Sequence, residues 1–308
     1  MLPLPRFEYS APNDVRDASR FLAEPGSQLI AGGTDLLVSM KQRLFEPRHL
    51  VSIRRLGLRG VTVQGGVVRI GAATTLAQVA TNLTVREQFP ALSDACLTVA
   101  TPTIQSMATL GGNLMLDTRC LYYNQPAGWR ASLGYCLKRE GTVCHVAPKG
   151  RGCYATQSAD TVPALWLYGA EVEFQSTRGV VLRKVSDMYR DDGMAWHGVG
   201  RDEVLVAVRL PLAEARVGHR KLRTRQAIDY AQVLVAVRAP VADGPWAAVI
   251  SAVASSPLFV EAEDPTALAE AAFRASQPLS THLPAATWRK RMVRVEVARA
   301  AAALGDGR

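Results

Sequence analysis

SQLIAGGTDLLVSMKQRL, residues 27–44, contains a short apolar run, a pair of glycines and then apolar residues at helical spacing. Gly32 and Gly33 permit a tight turn that other residues resist, and Thr34 or Asp35 can cap the helix that follows. The stretch therefore predicts a strand, a glycine turn and a helix. Many such turns hold two glycines for packing alone, whereas the N–H groups at the helix start also suit a phosphate.

A second glycine pair lies in TLGGN, residues 109–113, inside a segment (106–116) that the sequence predicts to be strand-like. Neither glycine segment has the G-x-G-x-x-G spacing of a Rossmann site or the Gly-Lys-Ser/Thr of a P-loop. Two glycine turns in one domain are suited to embrace the two phosphates of a dinucleotide. The pair of turns is therefore a candidate pyrophosphate site.

The remaining pattern predicts an α+β protein. Before residue 180, strands are expected at 49–53, in a hairpin at 61–72 and at 161–176, and helices at 74–82 and 89–100. After it, four strand-like segments precede two Ala-rich helices. We expect a domain boundary near residues 176–182.

Size and charge narrow the function classes. The 308 residues are enough for two domains. The net charge of +9 suits acidic partners or anionic cofactors, but the basic residues are scattered and no recognition helix is evident, so we expect no nucleic-acid partner. The N-terminus lacks the apolar core of a signal peptide, and the uncharged stretch 95–116 is broken by polar residues and Pro. We expect a soluble, cytoplasmic protein with no membrane association.

Four of the five cysteines lie within 34 residues of a basic segment with no clear period, namely Cys120, Cys136, Cys144 and Cys153. In a reducing compartment such clustering indicates metal rather than disulfides. The paired C-x-x-C of zinc ribbons is absent, and common ferredoxin spacings are tighter. Spacing alone leaves an iron–sulfur cluster, zinc and unligated thiols open. Cys96 is predicted to be a buried apolar residue, and His145 a loop residue rather than a ligand.

Six segments taken together resemble one family. They are AGGTDLL (31–37), IGAATTLAQV (70–79), ATLGGN (108–113), SADTVPALWLYGAEV (158–172), DEVLVAVRLP (202–211) and KLRTRQAIDYAQVLVAV (221–237). In this order they are similar to the FAD-binding medium subunit of the molybdenum hydroxylases, the xanthine dehydrogenase and carbon monoxide dehydrogenase family. The resemblance covers essentially the whole chain.

The cysteine segment looks like an insertion at about 117–157 into that family's pattern. It is similar to the loop of the β subunit of 4-hydroxybenzoyl-CoA reductase, which binds a 4Fe-4S cluster. Bacterial aldehyde oxidoreductases of the family also carry a cluster here, in a less similar loop. The resemblance implies that the four loop cysteines bind a 4Fe-4S cluster.

The fold implied by the resemblance is the α+β, FAD-binding fold shared with vanillyl-alcohol oxidase, at 1–178. A smaller α+β C-terminal domain of the carbon monoxide dehydrogenase flavoprotein type would follow at 179–308. The implied cofactors are FAD and the 4Fe-4S cluster.

The resemblance also implies a set of FAD-binding residues. They are Leu29, Ile30, Ala31, Gly32, Gly33, Thr34, Asp35 and Leu36 at the pyrophosphate, Thr109, Gly111, Gly112 and Asn113 at the second turn, Ala100, Thr101, Asp160, Leu205 and Lys221 along the cleft, and Leu121 beside the cluster. Two simpler interpretations stay open: Asp160 as a turn cap and Lys221 as a solvated strand residue. Ala159 departs from the family, in which Gly is frequent.

No constellation of nucleophile and base is evident, so we assign no catalytic residue and expect the cofactors to supply the chemistry. The resemblance implies an electron-transfer subunit beside a large molybdenum-cofactor subunit and a small 2Fe-2S subunit, in a dimer of heterotrimers. In the reductase direction electrons would pass from ferredoxin to 4Fe-4S, FAD, 2Fe-2S and molybdenum, in the degradation of aromatic compounds. The alternatives are the FAD subunit of an aldehyde or aromatic-heterocycle dehydrogenase, and a flavin-binding protein with a structural zinc loop.

Overall fold

The computed structural model describes residues 2–225, 227–283 and 285–305. Its strands are β1 (Glu8–Ser10), β2 (Ser27–Ile30), β3 (His49–Ser52), β4 (Val61–Gln64), β5 (Val67–Gly71), β6 (Glu171–Ser176), β7 (Gly179–Lys184), β8 (Val204–Pro211), β9 (Val217–Leu222), β10 (Val233–Arg238), β11 (Trp246–Ser251) and β12 (Leu258–Ala262). Its helices are α1 (Val15–Ala23), α2 (Leu36–Lys41), α3 (Leu76–Thr81), α4 (Leu83–Gln88), α5 (Pro90–Leu97), α6 (Pro102–Gln105), α7 (Leu110–Leu114), α8 (Ala127–Ser132), α9 (Val162–Leu167), α10 (Pro265–Ala275) and α11 (Ala286–Gly305).

The strands form three sheets. A small parallel sheet has the order β1-β3-β2, and an antiparallel sheet of five strands has the order β4-β5-β8-β6-β7. The third sheet, β12-β11-β10-β9, is antiparallel and packs against α10 and α11. The predicted α+β fold class is confirmed.

Several predicted elements form for the expected reasons. The turn between β2 and α2 contains Gly33 at a φ of +69°, and the β4–β5 hairpin turns at Gly65 and Gly66, both with positive φ. Helix α3 begins with a capping box in which Thr75 and Gln78 satisfy each other's backbone N–H groups. The first predicted glycine segment is thus a strand, a turn and a helix as expected.

Two predicted strands are partly helices. The second glycine segment forms α7, whose N-cap Thr109 accepts a hydrogen bond from the Gly112 N–H at 3.1 Å. The first half of 161–176 forms α9, with Pro163 in its first turn, before β6 begins. Short apolar runs have no period that separates a buried strand from a buried helix, so the Thr cap and the Pro decide these elements.

The predicted domain boundary near residues 176–182 falls within a single sheet. A boundary between residues 178 and 179 falls inside the β6–β7 hairpin, and β8 inserts between β5 and β6 in the same sheet. One buried cluster also joins side chains of that sheet to Val217, Ala236 and Val249. We propose that the smaller domain begins after Pro211.

The cysteine segment enters and leaves the fold at one point. Arg119 and Thr156 exchange two backbone hydrogen bonds of 2.8 Å, which close residues 120–155 into a loop. Within 117–157, all of which are described, α8 is the one helix and no strand of the three sheets is present. Elsewhere, none of the helices in the described residues is long and apolar enough to cross a membrane.

Candidate functional site

A cavity of about 950 Å³ lies between the two glycine turns, Asp160 before α9, and Lys221 on β9. It is lined by nearly all of the FAD residues that the sequence predicted, namely Leu29, Ile30, Ala31, Gly32, Gly33, Thr34, Asp35, Leu36, Ala100, Thr109, Gly111, Gly112, Asn113, Asp160, Leu205 and Lys221. The two predicted glycine turns therefore face one space, of a size that suits a dinucleotide.

The first glycine turn leaves no room for side chains. A Cβ at Gly32 would overlap the Met107 carbonyl, and one at Gly33 would lie 3.0 Å from Leu37 Cδ1. Gly33 also has the positive φ that L residues resist. The backbone can thus approach a ligand closely at the start of α2.

The second glycine turn is held by packing and by Asn113. A Cβ at Gly111 would lie 2.9 Å from the Cβ of Ala72. Asn113 Oδ1 accepts hydrogen bonds from the Thr161 N–H at 3.1 Å and from the Thr161 hydroxyl at 2.8 Å. Through this side-chain oxygen, Asn113 fixes the start of α9 against α7, and Asp160, which precedes α9, is thereby placed at the cavity wall.

Asp160 and Lys221 form a buried ion pair at the wall. Lys221 Nζ lies 2.6 Å from Asp160 Oδ1, with 2% and 7% of the side chains exposed, and donates to the Thr98 carbonyl at 3.0 Å. Burial raises the pKa of Asp160, and the Lys221 charge opposes that rise. Apart from the Lys221 ammonium, Asp160 Oδ1 has no hydrogen-bond partner among the described residues. A buried carboxylate oxygen with acceptor capacity left at the cavity fits a hydroxyl of FAD.

Two predicted residues lie off the cavity, and one open interpretation is wrong. Thr101 caps α6 by accepting from the Ile104 N–H at 3.4 Å, and the Leu121 N–H donates to the Thr281 carbonyl at 2.7 Å. Lys221 is buried and is not a solvated strand residue.

The cavity has further lining residues that the sequence did not single out as FAD contacts. Tyr123 and Lys138 come from the cysteine loop, and Phe174, Trp196 and Glu203 from the sheet and the segments around it. Glu203 is fixed by two hydrogen bonds of 2.7 Å from Arg183. Lys138 stood out only as a basic neighbour of the cysteines, because nothing in its spacing indicates which way it points.

The loop cysteines converge in a buried region. None of the five cysteines, all of which are described, is in a disulfide, and each is at most 9% exposed. Cys120, Cys136 and Cys153 pack in one cluster with Leu44 and Tyr123. Cys96 is fully buried in the main core, as expected.

The thiols of the loop influence one another. Burial raises the pKa of Cys120 to about 11, and the neighbouring Cys153 and Cys136 push it in the same direction. Burial likewise raises the pKa of Cys153, with Cys144 and Cys136 contributing. Within the described ranges, however, no group of three or more His, Cys, Asp or Glu side chains is arranged to hold a metal ion. The thiols are gathered, but not as a ready-made site for a single ion.

Three arginines tie the loop to the first glycine turn and its helix. Arg119, next to Cys120, forms an ion pair with Asp35 and stacks 4.6 Å from the ring centroid of Tyr230. Arg130, 2% exposed, donates to the carbonyls of residues 42 and 43 just past α2. Arg139 lies 3.1 Å from the Glu46 carboxylate. The cysteine loop is therefore docked beside the cavity.

Comparisons with known proteins agree with this geometry. The family described as the FAD binding domain in molybdopterin dehydrogenase matches residues 5–213. The chain is 35% identical over 256 residues to the aldehyde oxidoreductase FAD-binding subunit of Escherichia coli (strain K12), which covers 78% of this chain and 79% of that protein. It is 39% identical over 117 residues to the carbon monoxide dehydrogenase medium chain of Hydrogenophaga pseudoflava, which covers 37% of this chain and 40% of that one.

Solved structures show the same fold. Quinoline 2-oxidoreductase from Pseudomonas putida 86 superposes with a TM-score of 0.79 at 21% identity, over 99% of both chains. Carbon monoxide dehydrogenase from Hydrogenophaga pseudoflava gives a TM-score of 0.77 at 23% identity, over 98% of this chain and 99% of that one. The family match and the 35% identical relative confirm the family that the sequence resembles. The chain belongs to the FAD-binding medium subunits of the molybdenum hydroxylases, and it is the FAD subunit of an oxidoreductase of the carbon monoxide, xanthine and aldehyde dehydrogenase type.

Proposed function

We propose that this subunit binds FAD in the cavity and a 4Fe-4S cluster at Cys120, Cys136, Cys144 and Cys153, and that it relays electrons within a molybdenum-dependent complex. One observation carries the proposal: a dinucleotide-sized cavity lies against a loop with four buried thiols, three of which pack in one cluster. When bound, FAD would couple one- and two-electron steps and the cluster would exchange single electrons.

The residues of the cavity have distinct roles in this proposal. The two glycine turns bind the pyrophosphate through backbone N–H groups. The Asp160 carboxylate accepts a hydrogen bond from a ribityl or ribose hydroxyl, and Lys221 both neutralises Asp160 and brings positive charge toward the flavin. Leu205 supplies an apolar contact. Thr101 and Leu121 do not line the cavity and have no role in this proposal.

Four buried thiolates are the donor set of a 4Fe-4S cluster and also of a structural zinc site. Among the described residues, no group of three or more such side chains is already arranged to hold a metal ion. In a cluster each thiolate binds a different iron, so the ligands stand farther apart. Metal binding would replace the thiol protons, whose loss burial otherwise opposes.

Two substrate classes remain as candidates for the complex. The loop sequence favours a 4-hydroxybenzoyl-CoA reductase-like enzyme, with reduced ferredoxin as electron donor. The 35% identity to the aldehyde oxidoreductase subunit of Escherichia coli favours an aldehyde dehydrogenase. In either complex we propose a large molybdenum-cofactor subunit and a small 2Fe-2S subunit as partners.

Cofactor content tests the proposal. Iron, acid-labile sulfide, zinc and FAD are measured per chain, on protein purified anaerobically with any subunits that co-purify. We expect one FAD and about four iron and four sulfide atoms beyond those of the partners. Zinc without extra iron would make the loop structural. Turnover of aldehydes against reduction of 4-hydroxybenzoyl-CoA then separates the two substrate classes.

A further inference from the structure

The cysteine loop and the cavity share one wall. It consists of Asp117, Tyr123 and Lys138, all of which line the cavity. Tyr123, 3% exposed, also packs in the same buried cluster as three of the loop cysteines. We call these three residues the shared wall, because a charge placed there acts on both sites.

Lys138 brings a cation into the shared wall. Its side chain is only 7% exposed, and Nζ lies 2.7 Å from Asp117 Oδ1. Nζ also donates to the carbonyls of Gly193 at 2.9 Å and of Thr118 at 3.2 Å, and lies 4.5 Å from the ring centroid of Tyr123. Since fixed groups satisfy the ammonium, its position is defined and water does not screen it.

Gly193 joins this ammonium to a cysteine. Its carbonyl accepts from Lys138, and its N–H donates to the Cys153 carbonyl at 2.9 Å. A Cβ at Gly193 would lie 2.7 Å from Cys153 Sγ, so the sulfur packs directly on this residue. The ammonium and the Cys153 sulfur therefore contact the same glycine.

Electrostatics determines whether the Lys138 charge favours or opposes reduction of a group held by the loop thiolates. Reduction adds negative charge to a group held by thiolates, and a nearby buried cation stabilises that charge. Asp117 acts in the opposite direction. Exposed lysines of the same loop, such as Lys149, are screened by water and salt.

We propose that Lys138 tunes the reduction potential of the cluster at the cysteine site. Its fixed ammonium raises that potential, and the Asp117 carboxylate makes the increase smaller. The inference rests on the proposed function, because it assumes the cluster. It adds a defined pair of residues, Lys138 and Asp117, whose charges act in opposite directions on the reduction potential of the cluster.

The test is a redox titration of the cluster followed by electron paramagnetic resonance, on the full chain with its co-purifying subunits. Lys138→Met is expected to lower the cluster potential by about 59 mV, which is tenfold in a one-electron equilibrium. Lys138→Arg restores the charge and is expected to recover most of the potential. Asp117→Asn is expected to raise the potential, and Lys149→Met, the matched control in the same loop, to leave it unchanged.

The expected shifts in potential have opposite signs in Lys138→Met and Asp117→Asn, which distinguishes an effect of charge from a purely structural role of Lys138. If Lys138 only holds the loop in place, Lys138→Met and Asp117→Asn shift the potential in the same direction or not at all, and the inference is overturned. If Lys138→Met fails to retain its cluster, the sign of the Asp117→Asn shift decides alone. Absence of iron from the unaltered protein overturns the proposed function instead, before any variant is compared.

Discussion

Gly33 holds a backbone conformation that other residues resist, at the point where α2 meets the cavity. Gly33→Val is expected to release most of the FAD, because the side chain strains the turn and crowds the pyrophosphate. Gly57→Val is the matched control, since Gly57 has a similar φ of +67° but no described atom within 4 Å of its Cβ position. Both variants share a backbone cost of roughly 1–3 kcal/mol. Equal FAD content in both, measured by absorbance after gel filtration, would contradict the phosphate role of Gly33.

His219 makes the stability sensitive to acid. Burial lowers its pKa to about 3, and the nearby Lys221 and Arg220 act in the same direction. The unfolded chain takes up a proton near pH 6.5 while the folded chain does not, so stability is complete above that pH and falls as pH drops toward 3. We expect a slope of up to about 1.4 kcal/mol per pH unit from this one residue.

Urea unfolding at pH 7, 6 and 5 measures that slope. His219→Leu has no proton to bind at this position and should flatten the slope, although His282, whose pKa burial also lowers to about 3, still contributes. A variant with the slope of the unaltered protein would show that His219 binds its proton as readily in the folded chain as in the unfolded one.

At the scale of one element, the cysteine loop is proposed to bind the 4Fe-4S cluster, while the cavity binds FAD. Cys136→Ser is expected to remove the cluster iron and to leave FAD in place, because the glycine turns and Asp160 lie outside residues 120–155. Cys96→Ala, a cysteine of the main core, is the control and should keep its iron. Iron and FAD are counted in each variant. Loss of FAD together with iron in Cys136→Ser would show that FAD retention requires the metal-bound loop.

Secondary structure was predictable from the sequence where the period was long or the turn chemistry strong. The β2–α2 turn and the β4–β5 hairpin are fixed by glycines with positive φ, and α3 by its Thr75 cap. Helices α7 (LGGNL) and α9 (VPALWL) were predicted as strands, because segments of five or six residues are too short to show a helical period. The sequence does contain the helix signals, Thr109 as the cap of α7 and Pro163 in the first turn of α9. The prediction followed the strand-like pattern instead.

At the scale of the whole molecule, one buried ion pair joins the two halves of the chain. Lys221→Met would leave the Asp160 carboxylate buried without its cation, which is expected to cost about 3–5 kcal/mol of unfolding free energy. Adding Asp160→Asn should recover much of that loss. Arg294→Met is the control, since its pair with Glu270 is exposed at the surface and is worth about 0–1 kcal/mol. Denaturant titration of the three variants gives the comparison, and equal losses in Lys221→Met and Arg294→Met would contradict it.

The sequence predicted which backbone segments form the candidate site, but not which side chains contact each other there. Family resemblance located both glycine turns, Asp160 and Lys221, but not that the last two pair across 61 positions of sequence (221 − 160). It also did not show that Lys138 points into the wall beside the cavity rather than into solvent. Such orientations depend on how a loop without a period packs, here on Gly193 and Thr118, which lie far apart in sequence.

Two backbone hydrogen bonds between Arg119 and Thr156 close the cysteine loop, and two more join it to residues outside it, from the Leu121 N–H to the Thr281 carbonyl and from the Gly193 N–H to the Cys153 carbonyl. Residues 120–155 contribute no strand to any of the three sheets, so the pairing of those strands does not depend on the loop. Loop closure costs little more for a long insert than for a short one. A chimera that moves the loop to a relative therefore needs two chain junctions, at residues 119 and 156, and must also supply partners for the Leu121 N–H and the Cys153 carbonyl.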